Sequence, residues 1–233
     1  MASDIPAAIF DLDGTLFTGH TWYGVTRHHR SRHINRHWLY VYLAVHMPWW
    51  LLYKLGLISQ VRARFAWARD MAWTLRGMSQ AEGERMFAWM TDEYVLPLLR
   101  TDVVDLWRDH QAQGHRIILL SGTFEPLLAV IGQRLGVDAA LGTRLELRNG
   151  RYTGHALPPV PQGEGKAQRL QEYLDIDGQG LDLNASFAYA DSIADLPVLE
   201  MVGHPVVVCP EPALADLAAA RGWPQIGNVQ PGE

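Results

Sequence analysis

The chain has 233 residues, of which 48% are hydrophobic and 19% charged, and a formal net charge of −5. That length suits one α/β core with a smaller domain, and the apolar fraction is enough for a packed interior. The single cysteine, Cys209, excludes an internal disulfide and fits a reducing cytosol, and neither a repeat, a low-complexity tract nor a signal peptide is read from the chain.

The first element is Ala7-Ala8-Ile9-Phe10, a short apolar run that reads as a buried strand. Asp11-Leu12-Asp13-Gly14-Thr15 follows at once. Two carboxylates one residue apart at a strand end repel each other unless a cation lies between them, and oxygen donors suit Mg²⁺. Residues 17–96 then read as a helical insertion. Its expected helices are Asn35–Val45, interrupted by Pro48; a second capped by Ser59, with Val61, Phe65, Ala68 and Ala72 at helical spacing; and a third opened by the capping box Ser79/Glu82 and holding Met86, Phe87 and Met90. Core elements resume after Pro97. The expected series is a helix Val103–Gln113, a strand Arg116–Leu120 ending in Ser121-Gly122-Thr123, a helix Glu125–Leu135 stopped by Gly136, and a strand Ala139–Leu141. A hairpin around Asn149-Gly150, a helical stretch Ala167–Leu174 behind Gly163-Glu164-Gly165-Lys166, and a strand Phe187–Ala190 running into Asp191-Ser192-Ile193-Ala194-Asp195 complete it. Alternating strands and helices predict an α/β fold, a Rossmann-like parallel sheet with helices on both faces. Four strand or helix ends thus supply carboxylates, a hydroxyl and an ammonium, and the Ser-Gly-Thr turn before a helix suits an anion.

This order of motifs resembles the haloacid dehalogenase superfamily, subfamily IB, the group that includes phosphoserine phosphatase. The resemblance covers residues 5–16 and 97–224 and extends to Leu135-Gly136-Val137, Leu145–Tyr152, Leu196-Pro197-Val198-Leu199 and His204–Val208. It implies a catalytic core of residues 1–16 and 97–233 and a helical cap, 17–96, inserted after the first strand. It also implies a Mg²⁺-dependent phosphatase that works through an aspartyl-phosphate. Asp11 would be the nucleophile, and Asp13 the acid that protonates the leaving group and later activates water, with its backbone carbonyl on the metal. Asp11 and Asp191 would be carboxylate ligands, while Asp195 would hold metal-bound water or Lys166. Ser121 and the Gly122 N–H would hold phosphate oxygens, Lys166 would neutralise charge between Asp11 and the phosphate, and Thr15 and Ser192 would be supporting hydroxyls. A phosphotransferase using the same intermediate, and a membrane- or partner-binding module with a vestigial site, are the alternative readings.

Three positions depart from the family pattern. Ala190 stands where a Gly often precedes the first acid of the last motif. His20 occupies the place, nine residues past Asp11, of the Glu that receives the phosphoserine amine. The Arg for the substrate carboxylate has no clean counterpart: Arg69 is near, but Met71 falls closer to the register. The expected substrate is therefore a small or lipid-like phosphomonoester other than phosphoserine.

Charge is segregated along the chain. From Gly14 to Arg69 there is no Asp or Glu; Arg27, Arg30, Arg32, Arg36, Lys54, Arg62, Arg64 and Arg69 give this window +8, leaving −13 for the rest. The window also holds His20, His28, His29, His33, His37 and His46, with Trp22, Trp38, Trp49, Trp50 and Trp67. The apolar stretch Trp38–Tyr53 is expected first to pack within the cap or in a homodimer, and second to touch an anionic membrane peripherally, on its inner face. A membrane span is disfavoured by His46, Pro48 and Lys54. His29, His33 and His37 recur every four residues but stand among arginines, so they are read as solvated rather than metal-binding. Nucleic acid is not an expected partner, because no binding motif accompanies the basic run.

Overall fold

Alternation along the first strand, β1 (Ala7–Phe10), divides the interior in two. Ala8 and Phe10 face one apolar cluster and Ala7 and Ile9 the other, as successive strand residues must. The structure is a computed structural model describing residues 5–55, 57–177 and 180–230; for Trp50, Tyr53, Lys54, Gln60 and Val61 it describes the backbone alone, so the expected side-chain roles of Trp50, Lys54 and Val61 lie outside the described residues. The other strands are β2 (Arg116–Phe124), β3 (Ala139–Arg148), β4 (Arg151–Leu157), β5 (Phe187–Ala190), β6 (His204–Val208) and β7 (Gln225–Ile226). Among the described residues they form a seven-stranded sheet in the order β4-β3-β2-β1-β5-β6-β7. All neighbours pair in parallel except β3 and β4, the antiparallel hairpin turned by Asn149 and Gly150, both at positive φ. The chain builds outward from β1 on one side through β2 and β3, then returns to β1's other side through β5. That reversal puts the topological switch point at the C-terminal end of β1, where open α/β sheets leave a crevice.

Helices cover both faces. The β1, β2 and β5 residues Phe10, Leu119 and Tyr189 pack with Trp107 of α5 (Thr101–Ala112) and with Leu127, Leu128 and Ile131 of α6 (Glu125–Leu135). Phe10 stacks on Tyr189 at 4.5 Å and lies 4.9 Å from Trp107. Beneath the opposite face lie Leu170 and Tyr173 of α7 (Glu164–Ile176), Val198 and Leu199 of the short α8 (Leu196–Leu199), and Leu214 of α9 (Pro212–Arg221).

Between β1 and α5 the chain is helical: α1 (Thr21–Arg32), α2 (Arg36–Lys54), α3 (Gln60–Asp70) and α4 (Gln80–Met90). The expected caps form. Ser59 Oγ accepts the Arg62 N–H, and Ser79 and Glu82 make the reciprocal capping box. The chain leaves and returns side by side, with Thr18 N–H donating to the Leu98 carbonyl at 2.9 Å and Arg100 N–H to that of Leu16 at 3.0 Å. Met86, Phe87 and Met90 of α4 join the same apolar cluster as Phe10, so the insertion is packed continuously onto the sheet's helical layer.

Several elements differ from the sequence reading. Pro48 does not interrupt α2, which runs through it to Lys54. A proline removes the bond to the carbonyl four residues back, here that of Ala44, and Ala44 lies on the exposed side where water can serve that carbonyl. α1 stops at Arg32, with His33 in the left-handed region at φ 59°, so His29, His33 and His37 do not share one helix. His33 and His37 are exposed, but His29 is fully buried and its Nε2 meets the Thr74 carbonyl at 2.9 Å. β2 continues four residues past Leu120, through Ser121 to Phe124, with a register shift against β3. The expected strand Ala139–Leu141 and the first arm of the hairpin are one strand, β3.

Candidate active site

Asp11 is the first residue past β1 and Asp191 the first past β5, so the two adjacent parallel strands deliver both carboxylates to one edge of the sheet. Ser121 lies two residues beyond Leu119, the partner of Phe10, at the same edge of the neighbouring strand β2. Lys166 enters from the first turn of α7 and donates to Asp11 Oδ1 at 2.6 Å and to Asp195 Oδ1. Asp11, Lys166, Asp191 and Asp195 are each more than nine-tenths buried.

Two glycines make this convergence sterically feasible. Gly14 has φ +79°, and a Cβ there would lie far inside contact distance of Asp191 Oδ2. The Asp13-Gly14 turn can therefore pass directly over Asp191 only without a side chain. Gly165 is similar: a Cβ would overlap the Val160 carbonyl oxygen, so the turn before α7 closes only with glycine, and Lys166 follows it into the site.

Electrostatics decide what such a cluster can hold. One oxygen from each of Asp11, Asp191 and Asp195 lies within 4.8 Å of the others. Burial raises the pKa of all three; for Asp191 the Asp11 and Asp195 charges add to it, and Asp195 is pushed up to about 6 despite Lys166. Burial alone would depress Lys166, but the Asp11 and Asp195 carboxylates outweigh it and hold the ammonium above its ordinary range. Three buried carboxylates around one ammonium leave uncompensated negative charge, and a compact set of hard oxygen donors fits a divalent cation such as Mg²⁺. Thr15 Oγ1 sits between Asp11 Oδ2 at 3.5 Å and Asp191 Oδ1 at 3.4 Å.

Asp13 is set apart from this trio. Its carboxylate accepts the Thr21 N–H at 2.6 Å and the Thr21 hydroxyl at 2.9 Å, at the N-terminus of α1. Burial nonetheless pushes it up to about 6, opposed by those hydrogen bonds. A carboxyl group in that range can both give and take a proton near neutrality. Ser121 is fully buried, and its Oγ accepts the Thr123 N–H at 3.3 Å; the Gly122 carbonyl accepts the Thr143 hydroxyl at 2.7 Å, which ties the irregular end of β2 to β3.

Ser192 is placed differently from the supporting role expected for it. Its Oγ donates to Glu211 Oε1 at 3.3 Å and receives Arg64 Nη1 at 2.5 Å and the Ala194 N–H at 3.2 Å. The hydroxyl caps the turn Ile193–Asp195 and serves the rim of the site. Arg64, from α3, also bridges to Glu211 Oε2 at 2.8 Å. The insertion thereby reaches the loop that carries Asp191 and Asp195. Arg69 does not: its guanidinium is committed to Asp70 at 2.6 and 2.8 Å, and Met71 is buried. His20 is exposed at the N-cap of α1, and its carbonyl accepts the Tyr94 hydroxyl.

Four contributors escape sequence reasoning: Thr21, Arg64, Glu211 and Gln230, whose Nε2 donates to Asp191 Oδ2 at 3.0 Å. Thr21 carries a usable signal, a hydroxyl at the start of a helix shortly after the acidic turn. Gln230 carries none, since 39 residues separate it from its partner.

Comparison with known proteins agrees with this geometry. A family model for haloacid dehalogenase-like hydrolases matches residues 8–200. A probable phosphatase of Mycobacterium tuberculosis is 37% identical over 139 residues, covering 60% of this chain and 47% of that protein. The match thus spans about half the length of that relative. A phosphoserine phosphatase of the same organism is 31% identical over 219 residues, covering 93% of this chain and 69% of that one. A solved structure of a Bordetella pertussis protein of unknown function superposes with a TM-score of 0.80 at 30% identity, covering 97% of this chain and 99% of that one.

Proposed function

This chain belongs to the haloacid dehalogenase-like hydrolases, and from that premise we propose that it is a Mg²⁺-dependent phosphatase hydrolysing a phosphomonoester through an aspartyl-phosphate on Asp11. The observation that carries the reading is the buried constellation of Asp11, Lys166, Asp191 and Asp195 at the switch point of the sheet. An Asp11 carboxylate oxygen attacks phosphorus while the bond to the ester oxygen breaks, and Asp13 gives its proton to that departing oxygen. Water then attacks the phosphoryl group, Asp13 takes a proton from it, and inorganic phosphate leaves with the Asp11 carboxylate restored. Lys166 holds Asp11 in place and offsets charge on the transferring group, with Ser121 and the Gly122 N–H receiving phosphate oxygens. Mg²⁺, held by Asp11, Asp191 and the Asp13 carbonyl, would supply charge stabilisation when bound; Asp195 anchors Lys166. The helices of residues 17–96 act as a cap, and the Arg64 bridge to Glu211 sets its position over the site.

The substrate proposed is a phosphomonoester, small or lipid-borne, other than phosphoserine. A relative is named for phosphoserine, but here His20 stands where the amine-binding acid would be, and Arg69 is engaged with Asp70.

The test is phosphate release from a panel of soluble phosphomonoesters by purified protein, without any acceptor other than water, with and without Mg²⁺. Wild type should release phosphate and Asp11→Asn should be at least ~10³-fold slower, as expected for loss of a covalent nucleophile. Comparable turnover by Asp11→Asn would refute the mechanism, and release only in the presence of an added alcohol would point to phosphoryl transfer.

A further inference from the structure

The outer side of α2 is apolar where a surface helix would ordinarily be polar. Leu39, Tyr42 and His46 point inward and are buried. The opposite face presents Tyr40, Val41, Ala44, Leu51 and Leu52 to solvent, with Tyr40 53% and Leu51 54% exposed, and Leu55, 63% exposed, follows just past the helix end. Ala44 lies one turn beyond Tyr40 and Val41, and Leu51 and Leu52 two turns further, so at 3.6 residues per turn they share one side of the helix over about 18 Å at 1.5 Å per residue. A contiguous exposed apolar patch of this kind marks an interaction surface. No helix among the described residues is long and apolar enough to cross a membrane.

The charge around the stripe selects its occupant. Arg30 and Arg32 at the end of α1 and Arg36 at the start of α2 are exposed, and none has an ion-pair partner among the described residues. Arg27 is different, lying over the Trp89 ring at 5.6 Å. No acid occurs between Gly14 and Arg69, so none lies on α1, on α2 or in the turn between them. A second copy docked through the same stripe would bring like charges together, which is costly. An anionic lipid surface complements both features, because a helix lying flat in the headgroup layer buries its apolar stripe while basic residues meet lipid phosphates.

We propose that the outward stripe of α2, with Arg30, Arg32 and Arg36 at its start, docks this protein on anionic lipid bilayers, α2 lying parallel to the surface. This surface is separate from the acidic cluster, and the proposal does not depend on the reaction assigned there.

Sedimentation with vesicles of phosphatidylglycerol and phosphatidylcholine, and with phosphatidylcholine vesicles alone, tests it at low and at physiological salt. Wild type should pellet with the anionic vesicles, less so as salt rises, and not with the neutral ones. The apparent partition coefficient should fall at least ~10-fold in Arg30→Glu/Arg32→Glu/Arg36→Glu and, independently, in Val41→Glu/Leu51→Glu. All five side chains are exposed, and unchanged circular dichroism and unfolding midpoints establish that each variant is folded. Equal or negligible binding of wild type to both vesicle types overturns the proposal. So does a folded variant that binds like wild type, or self-association abolished by Val41→Glu/Leu51→Glu without any vesicle binding.

Discussion

Gly14 shows how a single atom can decide whether a site forms. Its missing Cβ and positive φ let the turn after β1 lie against Asp191. Gly14→Ala should push Asp191 out of register with Asp11, lowering kcat/KM by ~10²-fold, since a misplacement of about 1 Å in a reacting constellation costs that much. The substitution should also destabilise the fold by about 1–2 kcal/mol, because alanine is strained at positive φ. Activity within about threefold of wild type would show that the turn has room to relax. His20 is a second residue-scale test. Its imidazole offers no carboxylate to an ammonium group, so phosphoserine should be hydrolysed no better than phosphomonoesters without an amine. A clear preference for phosphoserine, measured as kcat/KM across the panel, would mean that another group receives the amine.

At the scale of elements, α2 and α3 are clamped by a small buried polar cluster. His46 donates from one ring nitrogen to the Tyr42 carbonyl at 2.9 Å, and its other nitrogen meets Asp70 Oδ2 at 3.2 Å; Asp70 also takes Arg69. Burial alone would raise the Asp70 pKa, but the hydrogen bonds from His46 and Arg69 outweigh it and hold it below 3.8. A carboxylate whose folded pKa is depressed stabilises the fold above its unfolded pKa, and that contribution is lost as pH falls through the folded value. Asp70→Asn should therefore cost about 2 kcal/mol at neutral pH, less than a fully enclosed pair because Arg69 is half exposed, and its deficit relative to wild type should shrink in strong acid. Urea unfolding at neutral and acidic pH measures both, and a variant equal to wild type throughout would show that the cluster contributes no net stability.

For the whole molecule, two buried histidines should weaken the fold in acid. His28, beside His29, and His110, bonded to the Tyr189 hydroxyl and His115, are each held down to about 4, first by burial and then by the neighbouring imidazole. Here the unfolded chain binds the proton more readily, so the contribution of these two groups is intact above about pH 6.5 and declines as pH falls toward 4. The shift corresponds to at most about 3 kcal/mol for each histidine. The raised carboxylates of the acidic cluster act in the opposite direction over the same range, so the test is differential: the deficit of His110→Gln in urea midpoint relative to wild type should shrink between neutrality and about pH 5. A difference that does not change with pH would contradict it. The acidic cluster is likewise a property of the assembled sheet, since its members come from β1, β5 and the turn before α8. Chelation should abolish phosphate release and Mg²⁺ restore it, while Ca²⁺, which favours more ligands and longer bonds, should restore it poorly. Full activity in excess chelator would contradict that reading.

The strand ends, their order and the polar residues that converge at them were legible in the chain itself. Short apolar runs followed by Asp11, Ser121 or Asp191 carry their own signal, because a strand buried on both faces must be apolar and must then expose its polar residues at its end. The glycine stops, the capping box and the Asn149-Gly150 turn were legible because each depends on a few neighbouring residues. Tertiary structure alone decided the rest. It turned the Asp13 carboxylate to Thr21, gave Ser192 to Arg64 and Glu211, brought Gln230 onto Asp191, carried α2 through Pro48, and separated the buried His29 from the exposed His33 and His37. Each of these depends on residues distant in the chain or on what the helix packs against, and local periodicity does not specify either.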